Sequence, residues 1–142
     1  MELPQFTEPT RRLTHHATLA MLSAGVAKAE EIGQPQCIVV VDASGEPLGE
    51  IRMTGAKFLS RRSALAKAMT AASHAIPSQA VPEAVRPALA AATGGGVTGL
   101  GGGLPIRLEG ALVGGIGVGS GTPDQDLVVA RAALAAVGAD LV

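Results

Sequence analysis

The chain has 142 residues, 47% of them apolar, a formal net charge of −1, no Trp or Tyr, and two Phe, Phe6 and Phe58. That length suits a single domain with an ordinary core, and a near-neutral charge without like-charge blocks gives no support for binding nucleic acid or an anionic membrane. No apolar run reaches the roughly 18 residues of a membrane span, no basic-then-apolar leader opens the chain, and the single Cys37 excludes an internal disulfide framework.

The core must be built from Ala, Val, Leu, Ile and Met, with glycines allowing close backbone approach. Small side chains bury little area each, at roughly 25 cal/mol per Å². A monomer built this way is marginal, so further burial is expected between subunits. The expectation is a soluble, cytoplasmic homo-oligomer with no nucleic-acid or membrane partner.

Residues 1–11 read as an N-terminal arm, with Pro4 and Pro9 disfavouring helix, and residues 12–142 as a single domain. A helix is predicted from about residue 10 to 32, closed by Gly33 and Pro35. His15, Leu19, Leu22 and Val26 form one stripe on it, and Leu13, Ala17, Ala20 and Ala24 a second. "QCIVVVDA" reads as a buried strand, "SGEP" as a turn and "LGEIRMT" as the antiparallel partner. Ser60 is placed as the cap of a helix running to about Ala75, with a short second helix over 82–92. After the glycine stretch, "PIRLE" and "ALVGGIGVG" flank Gly110 as a hairpin. "TPDQD" then opens a last helix, with Thr122 as N-cap, Pro123 at N1 and Gln125 at N3. Hairpins separated by helices define an α+β fold, an antiparallel sheet flanked by helices.

"GGGVTGLGGGLPI" matches GxGxxG formally, but a helix precedes it and a hairpin follows, the reverse of a dinucleotide-binding turn. It is either a loop needing unusual backbone angles or one that hugs a ligand. Ser63, Lys67, Thr70 and His74 share one helix stripe, opposite Ala64, Ala68, Ala71 and Ala72. Such a face can bind an anion or move a proton, and it also describes an ordinary solvated surface. His15 lies at the edge of an apolar stripe, as an axial haem ligand would, and as an interface histidine would. Neighbouring His15 and His16 diverge by about 100° on a helix, and no metal-ligand spacing stands out. Cys37 reads as packing, and Asp126 as a favourable partner of the helix dipole.

"VVVDASGEPLGEIRMTGA", "ALAKAMTAA" and "GGGLPIRLEGALVGGIGVGSGTPDQDLVVARAAL" together resemble the GlcG/HbpS haem-binding family, and also the C-terminal part of PduO-type proteins. The chain reads "GVGSG" where the family strand has "GVSG". The resemblance implies a profilin-like α/β/α arrangement, oligomers, and a pocket lined by the glycine loop, including Gly101, Gly102 and Gly103. It further implies haem or a related tetrapyrrole as ligand, held by an axial histidine that would be His15 or His16. A second reading is a catabolic enzyme acting on a small organic acid. In it Lys67, Thr70 and Arg107 hold the substrate, His74 or Asp126 handles the proton, and the loop N–H groups stabilise negative charge.

Overall fold

A β-branched run buried on both faces makes Cys37–Asp42 (β1) the natural centre of a sheet. In a computed structural model describing residues 1–142, β1 pairs antiparallel with Pro47–Arg52 (β2) on one side and Ala111–Gly119 (β4) on the other. Gly103–Leu108 (β3) pairs with β4, giving one four-stranded antiparallel sheet in the order β2-β1-β4-β3. Glu109 and Gly110, both with positive φ, make the tight β3–β4 turn.

Helices cover both faces. His15–Glu31 (α1) and Pro123–Ala136 (α4) pack over Ile38, Val40, Leu104, Ile106, Ile116 and Val118, forming the larger core. Ser60–His74 (α2) lies on the other face against Cys37, Val39 and Val41, through Ala64, Ala68 and Ala72. This is the α/β/α arrangement the resemblance implied. Two single-turn 3-10 segments, 78–80 and 83–85, lead into the short helix Arg86–Ala92 (α3), so the short helix expected over 82–92 is split into a 3-10 turn and an α-helix. No helix is long and apolar enough to cross a membrane.

The strand glycines of β4 explain how α2 sits. A Cβ at Gly117 would overlap the Ala64 carbonyl oxygen, and one at Gly115 would overlap that of Ala68. The helix backbone therefore rests directly on the sheet, alanine against glycine, which only a missing side chain permits. That closeness sets the height at which the flanks of α2 present their polar residues.

Two helix starts differ from expectation. α1 begins at His15 under a Thr14 cap, because the hydroxyl of Thr14 accepts from the Ala17 N–H at 3.4 Å. Ser60 does not cap α2; it is the first helical residue, and Leu59 precedes it without a side-chain cap bond. Residues 57–59 wind into the helix instead, their carbonyls accepting the N–H groups of Ser60, Arg61 and Arg62. On α1 the buried stripe is Thr18, Met21, Gly25 and Ala29, running between the two stripes read from sequence. Leu19 is 62% exposed.

Candidate functional site

Lys67 and Asp126 meet at the heart of the molecule. Lys67 lies on the flank of α2 and Asp126 in the first turn of α4, each under 5% exposed. The Lys67 ammonium donates to Asp126 Oδ2 at 2.9 Å and to the Val118 carbonyl at 2.8 Å. Asp126 Oδ1 accepts the Gly121 N–H at 3.0 Å. All three contacts have ordinary hydrogen-bond lengths, and the two made by the ammonium are as short as charge-assisted bonds.

The capping box positions the acid. Thr122 accepts from the Gln125 N–H, Gln125 accepts in return from the Thr122 N–H, and Pro123 occupies the first turn. This fixes the helix start one turn before Asp126 and turns its carboxylate back toward β4. The glycine loop then closes over the amine. Gly102 has φ +121°, and a Cβ there would stand 2.6 Å from the Val118 oxygen and 3.2 Å from Lys67 Nζ. Gly103 lies under the Lys67 carbonyl, where a Cβ would overlap that oxygen. The last three glycines of the stretch are thus packing elements around a buried ion pair, with Gly101–Gly103 all buried.

Thr70 anchors the same loop. Its hydroxyl donates to the Ala66 carbonyl at 2.7 Å and accepts the Thr98 N–H at 3.0 Å. Ser78 continues the anchoring, donating to the Leu100 carbonyl at 2.6 Å and accepting the Gly103 N–H at 2.9 Å. Neither Lys67 nor Thr70 belongs to a solvated stripe; the loop covers both.

The other predicted residues lie apart from the pair. His74 is exposed in the last turn of α2, its Nδ1 3.2 Å from the Thr70 carbonyl. Arg107 donates to the Ala75 carbonyl at 2.9 Å, satisfying the end of α2. Both side chains are engaged with backbone. Cys37 is fully buried in the sheet, and burial pushes its thiol above the ordinary value of 9.0, as an inert packing residue requires.

Beside the ion pair opens a polar cleft of about 230 Å³, lined by Lys57, Ser60, Ser63, Leu100, Ser120 and Gly121 together with the pair. Ser120 has φ +95°, a backbone region in which a non-glycine residue is strained by about 1–3 kcal/mol. Its hydroxyl accepts the Lys57 N–H at 3.0 Å, and its carbonyl accepts from Gln34 at 3.1 Å. Gln36 is fully buried, and both atoms of its side-chain amide lack a partner in the chain. Sequence reasoning missed Lys57, Ser120 and Gln36: none falls on a polar helix stripe, and Ser120, though inside the motif that carries the family resemblance, has no role assigned by it. The one sequence signal was the glycine inserted before Ser120.

His15 and His16 lie elsewhere, exposed in the first turn of α1 with ring centroids 4.2 Å apart. Although adjacent helix positions diverge, both rings line one cleft of about 400 Å³ with Arg12, Leu13, Thr14, Asp42 and Leu48. That cleft sits at the Asp42 end of β1, whereas the Lys67 cleft sits at the Cys37 end, where Cys37 pairs with Gly119. At ~3.3 Å per residue, the two ends are roughly 17 Å apart.

A helix-flanked antiparallel sheet, with a buried Lys–Asp pair under a glycine loop and a histidine pair at the other end, defines an α/β/α domain with two separate polar clefts. The family described as "Haem degrading protein HbpS-like" matches residues 13–135, and the chain belongs to that family. Over 135 residues it is 35% identical to the corrinoid adenosyltransferase PduO of Citrobacter freundii, covering 92% of this chain but only 40% of that protein's length. The structure of the Klebsiella pneumoniae protein ORFY superposes with a TM-score of 0.91 at 30% identity, covering 96% of this chain and 98% of that one. A PduOC:haem complex superposes with a TM-score of 0.85 at 29% identity, covering 92% and 99%.

Proposed function

We propose that the protein is a cytoplasmic homo-oligomer that binds haem or a related tetrapyrrole, with His15 or His16 as the axial ligand. The likeness over nearly the whole fold to a domain crystallised with haem is the observation that carries this reading.

The residues around the histidine pair suit the group. Imidazole is a standard haem-iron ligand, and the chain's own hydrogen bonds claim neither ring. Arg12 supplies a cation of the kind that pairs with a propionate. Leu48, 42% exposed in the same cleft, and Leu19, one helical turn beyond His15, supply apolar surface without a partner in the chain. With no aromatic side chain here to stack on a porphyrin, a second subunit would complete the apolar cover. When bound, the haem supplies an iron centre; the chain's part is to ligate it, pair its carboxylates and exclude water.

Hemin titration followed at the Soret band tests the reading. Saturable binding is expected, weakened about tenfold or more, ~1.4 kcal/mol or above, by His15→Ala or His16→Ala. A weak, unsaturable response that neither substitution alters would overturn it.

A further inference from the structure

We infer that the cleft beside Lys67 is a second binding site, for a small monocarboxylate carrying a hydrogen-bond donor next to its carboxyl group.

Charge comes first. Two lysines, Lys57 and Lys67, line the cleft against one carboxylate, Asp126, which leaves one positive charge for the occupant to balance. Lys57 is exposed at the mouth and takes part in no ion pair. Lys67, 4% exposed, gives two of its three N–H bonds to Val118 and Asp126, and the ammonium still forms part of the cleft wall. A dianion would face the Asp126 carboxylate without a cation to offset its second charge.

Hydrogen bonding narrows the class. The Ser120 hydroxyl accepts from Lys57 N–H, so its own proton is free to be donated, and the Ser60 hydroxyl is likewise free. Ser63 is reversed: it donates to the Ser60 carbonyl at 3.1 Å and offers only lone pairs to the cleft. The lining therefore provides donors for a carboxylate and, in the Ser63 hydroxyl and the Asp126 carboxylate, acceptors for a neighbouring hydroxyl or amine. Leu100 is its single hydrophobic residue, and about 230 Å³ admits a molecule of a few non-hydrogen atoms but no tetrapyrrole.

Two further observations concern a residue of the lining, Ser120, and a side chain packed behind it, Gln36. Ser120 holds φ +95°, a strained conformation of the sort concentrated at ligand clamps. Behind Gly121, the fully buried Gln36 amide has no partner, and its Nε2 stands 2.9 Å from where a Cβ of Gly121 would be. Buried amides are nearly always paired, by protein, water or ligand.

The test is titration of the 142-residue protein with lactate, followed by ¹H–¹⁵N NMR at the Gly101, Ser120 and Gly121 amides. Propionate and inorganic phosphate serve as comparison ligands. Saturable shifts at these amides are expected, tighter for lactate than for propionate or phosphate. Lys57→Ala, an exposed change that leaves the ion pair intact, should weaken lactate by about two- to fivefold. His15→Ala and His16→Ala should leave lactate binding unchanged, so the haem reading and this one can fail separately. Absence of saturable shifts, equal binding to Lys57→Ala, or tighter binding of phosphate would each overturn the assignment.

Discussion

Burying Lys67 beside Asp126 takes two charges out of water, and their attraction offsets that loss only because the remaining hydrogen-bonding capacity is also met. Val118 and Gly121 meet it, through the carbonyl on the amine and the N–H on the carboxylate. Removing one partner leaves the other charged, buried and uncompensated. Lys67→Met is therefore expected to lose about 3–5 kcal/mol in urea unfolding, a large share of the ~5–15 kcal/mol typical of a domain. The double variant Lys67→Met/Asp126→Leu should recover most of that loss, since a well-packed apolar pair need not be solvated. A single-variant loss below about 1 kcal/mol would mean that water reaches the pair. At this scale the sequence was only partly legible. Lys67 and Asp126 could both be named as candidates, but their 59-residue separation hid that they are each other's partner.

At the scale of elements, the best-read feature was the start of α4, where cap, proline and reciprocal glutamine were all anticipated and all occur. Such signals are local: the groups that satisfy one another lie within four residues, so no tertiary contact is needed to predict them. Thr122→Ala should cost about 1 kcal/mol in the same unfolding measurement. It should also loosen Asp126, visible as faster amide exchange at Gly121, whose N–H the carboxylate accepts. The α1 start was misread because Leu13 extends the apolar stripe of Ala17, Ala20 and Ala24 by one turn, while the cap lies at Thr14. The α2 start was misread because a serine suggested a side-chain cap where backbone carbonyls of 57–59 serve.

For the whole molecule, exposed surface is the informative quantity. The chain exposes 7940 Å² at 14.1 kDa, whereas a compact monomer of that mass exposes ~6,700 Å². Part of the excess is residues 1–12, which are all exposed. The rest includes the outward sides of α1, α4 and β2, where Leu19, Val128 and Ile51 are 62%, 39% and 39% exposed. The apolar stripes that exceed what one chain can bury are the ones expected to meet another subunit. Light scattering should accordingly give a multiple of 14.1 kDa for the native protein, and Leu19→Glu with Ile51→Glu should move it toward the single-chain mass. A native mass of one chain would reject the oligomer.

Composition and local pattern were enough for the class of fold: β-branched β1, the turn at Glu109–Gly110 and the capped α4 each state their conformation within a few residues. They were enough, too, for the motifs that resemble the family. The use made of the glycines and the polar stripe was not accessible in that way. Gly102 is needed because Val118, Lys67 and Asp126 converge on it from one strand and two helices, and Gly117 because Ala64 rests on it. Whether Lys67 faces water or a carboxylate depends on how α2 and α4 dock against opposite faces of one sheet. Docking is set by the summed packing of side chains distant in sequence, so no window of residues contains it.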